Sequence, residues 1–247
     1  MSRVAVVTGA ASGIGLGVAQ QFALDGHQVA LLDRQGDAVR QAAHDLQSQG
    51  HSAVAVEVDV ADRGEVTAAF ERVRSELGPV GILVTSAGIE SFDAVLEITS
   101  EKWDRILAVN LTGTFVCVQA ALPDMIAAGW GRIVTISSSS AQSGAPHMAH
   151  YVASKGGVIS LTKALARELA ANGITANTIP PSLVDTPMAR NAEAAGTFPG
   201  VEVAAKMVPL GRPGTPHDIA AACSFLCSDG GNYITGQVIG VNGGMYI

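Results

Sequence analysis

The sequence predicts an α/β fold: a doubly wound parallel sheet with helices on both faces. Three observations predict it. Short β-branched apolar bursts alternate with helix-periodic segments from one end of the chain to the other. Most bursts are continuously apolar, as strands are when both faces of a sheet are covered. The first burst runs straight into a glycine-rich turn and then a helical pattern, the opening of a βαβ unit.

Taken in order, the strands expected are residues 4–8, 28–32, 53–58, 80–85, 132–137, 175–179 and 237–241. Between them, apolar residues recur at helical spacing over 14–24, 37–49, 63–77, 101–126, 151–171 and 216–226. Strand–helix–strand crossovers of this length close right-handed and leave the strands parallel. No linker, repeat or low-complexity tract divides the chain, so one domain over residues 1–247 is expected. The irregular region 182–214 is rich in Ala, Gly, Pro and Met, and a loop that long inside a domain marks a substrate lid.

Composition narrows the function. With 48% hydrophobic and 15% charged residues, the chain has ample material for a core and is not a disordered segment. Its net charge of −7 argues against nucleic-acid binding and against docking on an anionic membrane. The N-terminus lacks a signal-peptide pattern, and the apolar stretch 106–123 is interrupted by Asn110, Thr112, Thr114 and Gln119. It reads as a buried or interface helix. Cys117, Cys223 and Cys227 cannot make a disulfide framework, which fits a reducing, cytoplasmic setting.

The turn Thr8-Gly9-Ala10-Ala11-Ser12-Gly13-Ile14-Gly15 predicts a dinucleotide site. Glycines let the main chain approach a pyrophosphate, while the N–H groups of Ser12, Gly13, Ile14 and Gly15 at the helix start face the anion. Asp33, directly after the second strand, can accept both ribose hydroxyls and would repel a 2′-phosphate. Arg34 pulls the other way, but Ala11 adds no cation, so NAD(H) is expected over NADP(H). Asp59 and Val60, closing the third strand, can read adenine. Tyr151-Val152-Ala153-Ser154-Lys155 places a tyrosine and a lysine on one helix face. A lysine there can lower the phenol's pKa and make it an acid/base at neutral pH. The serine cluster 137–140 follows a strand, where a doubly wound sheet builds its site.

In these residues the chain resembles the short-chain dehydrogenase/reductase family, and it is similar to that family's 3-oxoacyl-carrier-protein reductase-like members. The resemblance covers essentially the whole chain. It implies a Rossmann fold with a seven-stranded sheet in order 3-2-1-4-5-6-7, three helices on each face and a homotetramer. It assigns Asn110, Ser138, Tyr151 and Lys155 as the catalytic residues. It assigns Thr8 through Gly15, Ala87 and Gly88, and Pro181, Val184 and Thr186 to the cofactor, with Tyr151 and Lys155 also touching it. The segments 234–237 and 243–244 match the family's C-terminal pattern. Ser86, Ser182 and Asn242 depart from the family's usual Asn, Gly and Asp.

The resemblance implies hydride transfer between nicotinamide and a carbonyl or carbinol carbon. Tyr151 would exchange the proton, Ser138 would hold the substrate oxygen, and Lys155 would depress the Tyr151 pKa and hold the ribose. Asn110 would position a water leading to solvent. No metal is required; His147 and His150 would line the substrate entrance. Family members that reduce carrier-bound thioesters use NADPH and dock the acidic carrier through cations, at positions that are Gly129 and Asn172 here. With Asp33 and the acidic charge, this favours a small, hydrophobic secondary alcohol or ketone and NAD(H). The apolar groups Met188, Phe198, Val201, Val203, Met207 and Val208 of the lid suit such a ligand. A 3-oxoacyl-thioester reductase using NADPH is the alternative. A non-catalytic nucleotide sensor or scaffold is the third reading, and the complete set of four catalytic residues argues against it.

Overall fold

A computed structural model describes residues 2–247. The strands β1 (Val4–Thr8), β2 (Gln28–Asp33), β3 (Ala53–Glu57), β4 (Val80–Thr85), β5 (Gly131–Ile136) and β6 (Ile174–Ile179) form a parallel sheet in the order β3-β2-β1-β4-β5-β6. The helices in chain order are α1 (Gly13–Leu24), α2 (Gly36–Ser48), α3 (Arg63–Glu76), α4 (Ser100–Leu107), α5 (Gly113–Ala128), α6 (Ser140–Ser143), α7 (Ala149–Leu169), α8 (Pro187–Ala194), α9 (Val201–Ala205) and α10 (Pro216–Cys227).

Each sheet face carries its own core, as the continuously apolar strands require. On one face Phe22 of α1, Leu46 of α2 and Leu226 of α10 bury against Val7, Leu31 and Val84. On the other, Phe70 of α3, Met125 of α5 and Leu165 of α7 bury against Val6, Leu32, Leu83 and Ile133. Burying each such side chain stabilises the fold by roughly 1.5–3 kcal/mol. The helices pack closely where residues are small: a Cβ on Gly17 of α1 would lie 2.7 Å from Pro216 Cβ at the start of α10.

Local signals set the element boundaries. The Asp62 side chain accepts the Glu65 N–H and caps α3. Thr215 and Asp218 form a reciprocal capping box at the start of α10, with Pro216 just inside the helix. Gly129 ends α5 in the left-handed conformation. The helix expected over residues 101–126 is broken in the middle. α4 passes into α5 through a π-helical turn, Ala108–Thr112, which contains Asn110. Such turns widen the helix and re-aim the side chains on it, and they occur frequently at functional sites.

Two expectations need correction. Six strands pair in the described sheet, not seven. The segment expected as a last strand meets β6 through the single bridge Thr178–Val238, with Thr178 N–H donating to Gln237 and Ile239 N–H to Thr178. The Gly236 N–H donates to the Ala176 carbonyl at 2.7 Å, and side chains take other positions along that edge. Asn177 Nδ2 donates to the Ile234 carbonyl, its Oδ1 accepts the Gln237 N–H, and Thr235 Oγ1 accepts the Ala176 N–H. Side-chain bonds thus alternate with main-chain bonds along this edge, and the segment pairs with β6 without forming a regular strand. The lid region also has more structure than a loop, because α8 and α9 lie within it.

Candidate active site

The strand order reverses around β1 and β4, and the crevice beyond their C-terminal ends is where an open α/β sheet binds its ligand. The glycine turn lies there. A Cβ on Gly15 would sit 2.1 Å from the Gly9 carbonyl oxygen, and one on Gly9 would sit 2.8 Å from Ala87 Cα. Only glycine allows this closeness, which draws the turn onto Ala87 and Gly88 after β4. The α1 N-terminus has no side-chain cap at Ser12 and no acid in its first turn. Its uncapped N–H groups fit the pyrophosphate of a dinucleotide. Thr186, at the N-cap of α8, comes within 3.4 Å of a Cβ built on Gly13, so the start of the lid touches the turn. Pro181 and Val184 are buried alongside.

At the end of β2, Asp33 Oδ2 accepts the Ala11 N–H at 3.0 Å and Oδ1 accepts the Gln35 N–H at 3.0 Å. One carboxylate oxygen braces the glycine turn at Ala11 and the other fixes the loop before α2. Arg34 beside it is exposed. Asp59 Oδ1 accepts the Ala61 N–H, and Oδ2 pairs with Arg105 at 2.9 Å. Val60 is buried, next to Gly113, whose Cβ would approach it to 2.8 Å.

Of the four expected catalytic residues, Asn110 from the π turn and Lys155 from α7 meet at Gly88. A Cβ on Gly88 would lie 3.3 Å from both Asn110 Oδ1 and Lys155 Nζ. Asn110 is fully buried and its amide is occupied by protein partners. Oδ1 accepts the Ile89 N–H at 2.9 Å, and Nδ2 donates to the Ile89 carbonyl and to Ser154 Oγ, each at 3.0 Å. It clamps the loop after β4 to α7. Lys155 Nζ donates to the Ile136 carbonyl at 2.9 Å and lies 5.9 Å from the centroid of the Tyr151 ring. Ser137 Oγ donates to the Lys155 carbonyl, fixing α7 to the end of β5. Ser138 faces the Tyr151 phenol and shares a 2.7 Å hydrogen bond with Ser140 Oγ.

Electrostatics differ from the expectation that Lys155 makes Tyr151 acidic. Burial pushes the Tyr151 phenol up to about 12, opposed by the Ser138 hydroxyl and aided by the Glu90 carboxyl. Burial pulls the Lys155 ammonium down to about 8, opposed by Glu90. Glu90, half-buried after Ile89, is a site residue that the motifs did not reveal; the only available signal was an acid two residues beyond the Ala87-Gly88 pair. His150 also departs from expectation. It is fully buried, with Nε2 3.4 Å from Asp93 Oδ2, and does not line an entrance. His147 is exposed, with φ of +61°.

A family profile described as enoyl-(acyl carrier protein) reductase matches residues 9–246. The chain belongs to the short-chain dehydrogenase/reductase family. It is 38% identical over 248 residues to the 3-oxoacyl-[acyl-carrier-protein] reductase FabG of Staphylococcus aureus, covering 100% of this chain and 99% of that one. It is 38% identical over 245 residues to the 3-oxoacyl-[acyl-carrier-protein] reductase MabA of Mycobacterium tuberculosis, covering 99% and 93%. Among solved structures, a variant of actinorhodin polyketide ketoreductase with NADPH superposes with a TM-score of 0.95 at 35% identity, covering 99% and 97%. This short-chain dehydrogenase/reductase chain is therefore an oxidoreductase. The expected preference for NAD(H) is corrected by these relatives, whose ketoreductase member holds NADPH. Both oxygens of Asp33 accept main-chain N–H groups, a structural role that its position alone did not reveal, and that position is not sufficient to select NAD(H).

Proposed function

We propose that this short-chain dehydrogenase/reductase reduces the ketone of a 3-oxoacyl thioester to the 3-hydroxyacyl thioester with NADPH. One observation supports a proton-donating role: the Tyr151 phenol, pushed up to about 12 by burial, faces Ser138 in a buried site. A protonated phenol is a donor to a carbonyl oxygen, which is what ketone reduction needs. The names of the relatives support the substrate class, and NADPH in the similar ketoreductase supports the cofactor.

When bound, the nicotinamide supplies the hydride; the protein supplies position and charge. In this reading Ser138 donates a hydrogen bond to the ketone oxygen, and Tyr151 gives that oxygen its proton as negative charge develops there. Lys155 holds a cation beside the phenolate that forms. Asn110 acts as a positioning residue through Ile89 and Ser154. The glycine turn and the α1 N-terminus hold the pyrophosphate, and exposed Arg34 is placed to pair with a 2′-phosphate. Gly129 and Asn172 give a carrier protein no cation to dock on, so a short coenzyme A thioester is the first substrate to try. Phe115 and Ile126 stand exposed on α5. They support a reading of this helix as the interface of a homotetramer, which light scattering at micromolar concentration would test. The function itself is tested by following NADPH oxidation with acetoacetyl-coenzyme A. Steady turnover is expected, and its absence with all 3-oxoacyl thioesters tried would overturn the reading.

A further inference from the structure

The run Ser137-Ser138-Ser139-Ser140 carries four hydroxyls, and the chemistry above uses that of Ser138. The main chain of the run is held along its length. The Ser137 N–H donates to the Ile179 carbonyl and the Ser139 N–H to the Pro181 carbonyl, each at 2.8 Å. The Ser138 carbonyl accepts the Ala141 N–H at 3.0 Å. Ser137 Oγ is engaged with the Lys155 carbonyl. Ser140, half-buried at the start of α6, turns back onto Ser138. Their hydroxyl oxygens lie 2.7 Å apart, and the Ser140 N–H donates to the same Ser138 oxygen at 3.3 Å.

Protons and lone pairs give this contact a direction. A serine hydroxyl has one proton to donate and two lone pairs that accept. The Ser140 N–H can only donate, so it occupies one lone pair of Ser138 Oγ. Two arrangements of the hydroxyls remain. If Ser138 donated to Ser140, the proton that a ketone oxygen needs would be occupied. The Ser140 proton would then have no acceptor among the described residues. If Ser140 donates, both lone pairs of Ser138 are filled from α6. The Ser138 proton is then free for a third partner, on the side where the hydroxyl faces Tyr151.

We propose that Ser140 is a positioning residue for the reduction, its hydroxyl donating to Ser138 Oγ and so keeping the Ser138 proton free for the ketone oxygen. The inference rests on Ser138 holding that oxygen, as proposed above. The contribution has two parts. The Ser138 proton is directed before the substrate arrives, so it does not turn away from another acceptor as charge develops. A hydroxyl that accepts a hydrogen bond also donates a stronger one, because each bond polarises the next. No proton leaves Ser140; Tyr151 still gives the proton that the substrate keeps. Both effects grow with the charge on the ketone oxygen, so they act on kcat and not on cofactor binding.

The test is Ser140→Ala, which removes the hydroxyl and keeps the main-chain N–H, beside Ser140→Thr, which restores a hydroxyl. kcat is measured with acetoacetyl-coenzyme A and saturating NADPH, and Ser140→Ala is also made in a Ser138→Ala background. Ser140→Ala is expected to lower kcat about five- to tenfold with KM for NADPH unchanged, and Ser140→Thr to recover at least about half of the wild-type value. In the Ser138→Ala background the same change should cost less than about twofold, because a residue that acts through another has nothing left to act on. An unchanged kcat in Ser140→Ala, or an equal loss in the two backgrounds, would overturn the proposal.

A second readout needs no substrate. Tyrosine is labelled with 13C at Cζ, and the Tyr151 signal is assigned among Tyr151, Tyr233 and Tyr246 by its loss in Tyr151→Phe. The signal should shift in Ser140→Ala and return in Ser140→Thr, since the Ser138 hydroxyl faces the phenol. An unshifted signal overturns the proposal. If no 3-oxoacyl thioester is turned over, the assigned substrate fails, and a signal that shifts and returns leaves Ser140's role standing. If Ser140→Ala does not fold, Ser140→Cys, a weak donor of similar size, takes its place in both measurements.

Discussion

The Thr8 hydroxyl, at the end of β1, accepts the main-chain N–H of Ala87 at 3.1 Å and that of Ser86 at 3.2 Å. This buried oxygen ties the glycine turn to the loop after β4, and so joins the dinucleotide cradle to the segment that Asn110 and Lys155 touch. Thr8→Val keeps the shape and leaves two N–H groups without that partner. Buried donors left unmatched cost about 1–3 kcal/mol each. Chemical denaturation should show a loss of that order, together with weaker cofactor binding. A variant as stable as wild type would show that the tie is dispensable.

Gly15→Ala tests the cradle itself. The new methyl would lie 2.1 Å from the Gly9 carbonyl oxygen, so the turn must open. Overpacking of this kind costs roughly 1–3 kcal/mol. The larger effect falls on function: NADPH affinity, read by fluorescence titration, should drop at least about tenfold. Unchanged affinity would place the pyrophosphate elsewhere.

Lys155 is expected to set the upper pH limit of activity. Its ammonium is drawn down by burial to about 8, so activity that needs the cation should decline as pH rises through that value. Tyr151 remains protonated over the same range, which assigns the limb to the lysine. Lys155→Ala should lower kcat by about a hundredfold or more and also weaken cofactor binding, because it removes a cation from the site and a donor from Ile136. A pH–rate profile flat to pH 10 would contradict this assignment.

Much of this was legible in the chain. The β-branched bursts, continuously apolar, placed all six observed strands, and the glycine spacing placed the cradle. Tyr151 and Lys155 share a helix face, as their spacing indicated, and the serine cluster 137–140 follows β5, while Ser138 was singled out within it by the family resemblance. The misses have physical causes. Asn177 and Thr235 satisfy the edge of β6 with side chains, which no strand pattern reveals. Asp33 sits where a ribose-binding acid would, but it also accepts the N–H groups of Ala11 and Gln35, and position does not encode those partners. The π turn at Asn110 leaves the apolar spacing of a plain helix intact. The departures Ser182 and Asn242 meet each other, since Ser182 Oγ donates to the Asn242 carbonyl at 3.0 Å. That pairing across sixty residues of sequence has no local signature.

The α10 cap gives a prediction about acid stability. Asp218 accepts from Thr215 and from both terminal nitrogens of Arg212, and the Arg212 guanidinium holds its carboxyl well below the usual carboxylate range. A carboxyl depressed in the folded state stabilises above its unfolded pKa, and that contribution is lost as pH falls through the folded value. Asp218→Ala should therefore cost about 1 kcal/mol at neutral pH, and its deficit should shrink in strong acid. A deficit independent of pH would assign the effect to packing.

Tyr151→Phe tests directly whether Tyr151 donates the proton in an NADPH-driven ketone reduction. The ring is kept and the transferable proton removed. The measurement is kcat for acetoacetyl-coenzyme A with saturating NADPH, beside NADPH affinity, in wild type and variant. Turnover by the wild type, a loss of about a hundredfold or more in the variant, and nearly equal affinities are predicted. Wild-type turnover in Tyr151→Phe would contradict the claim.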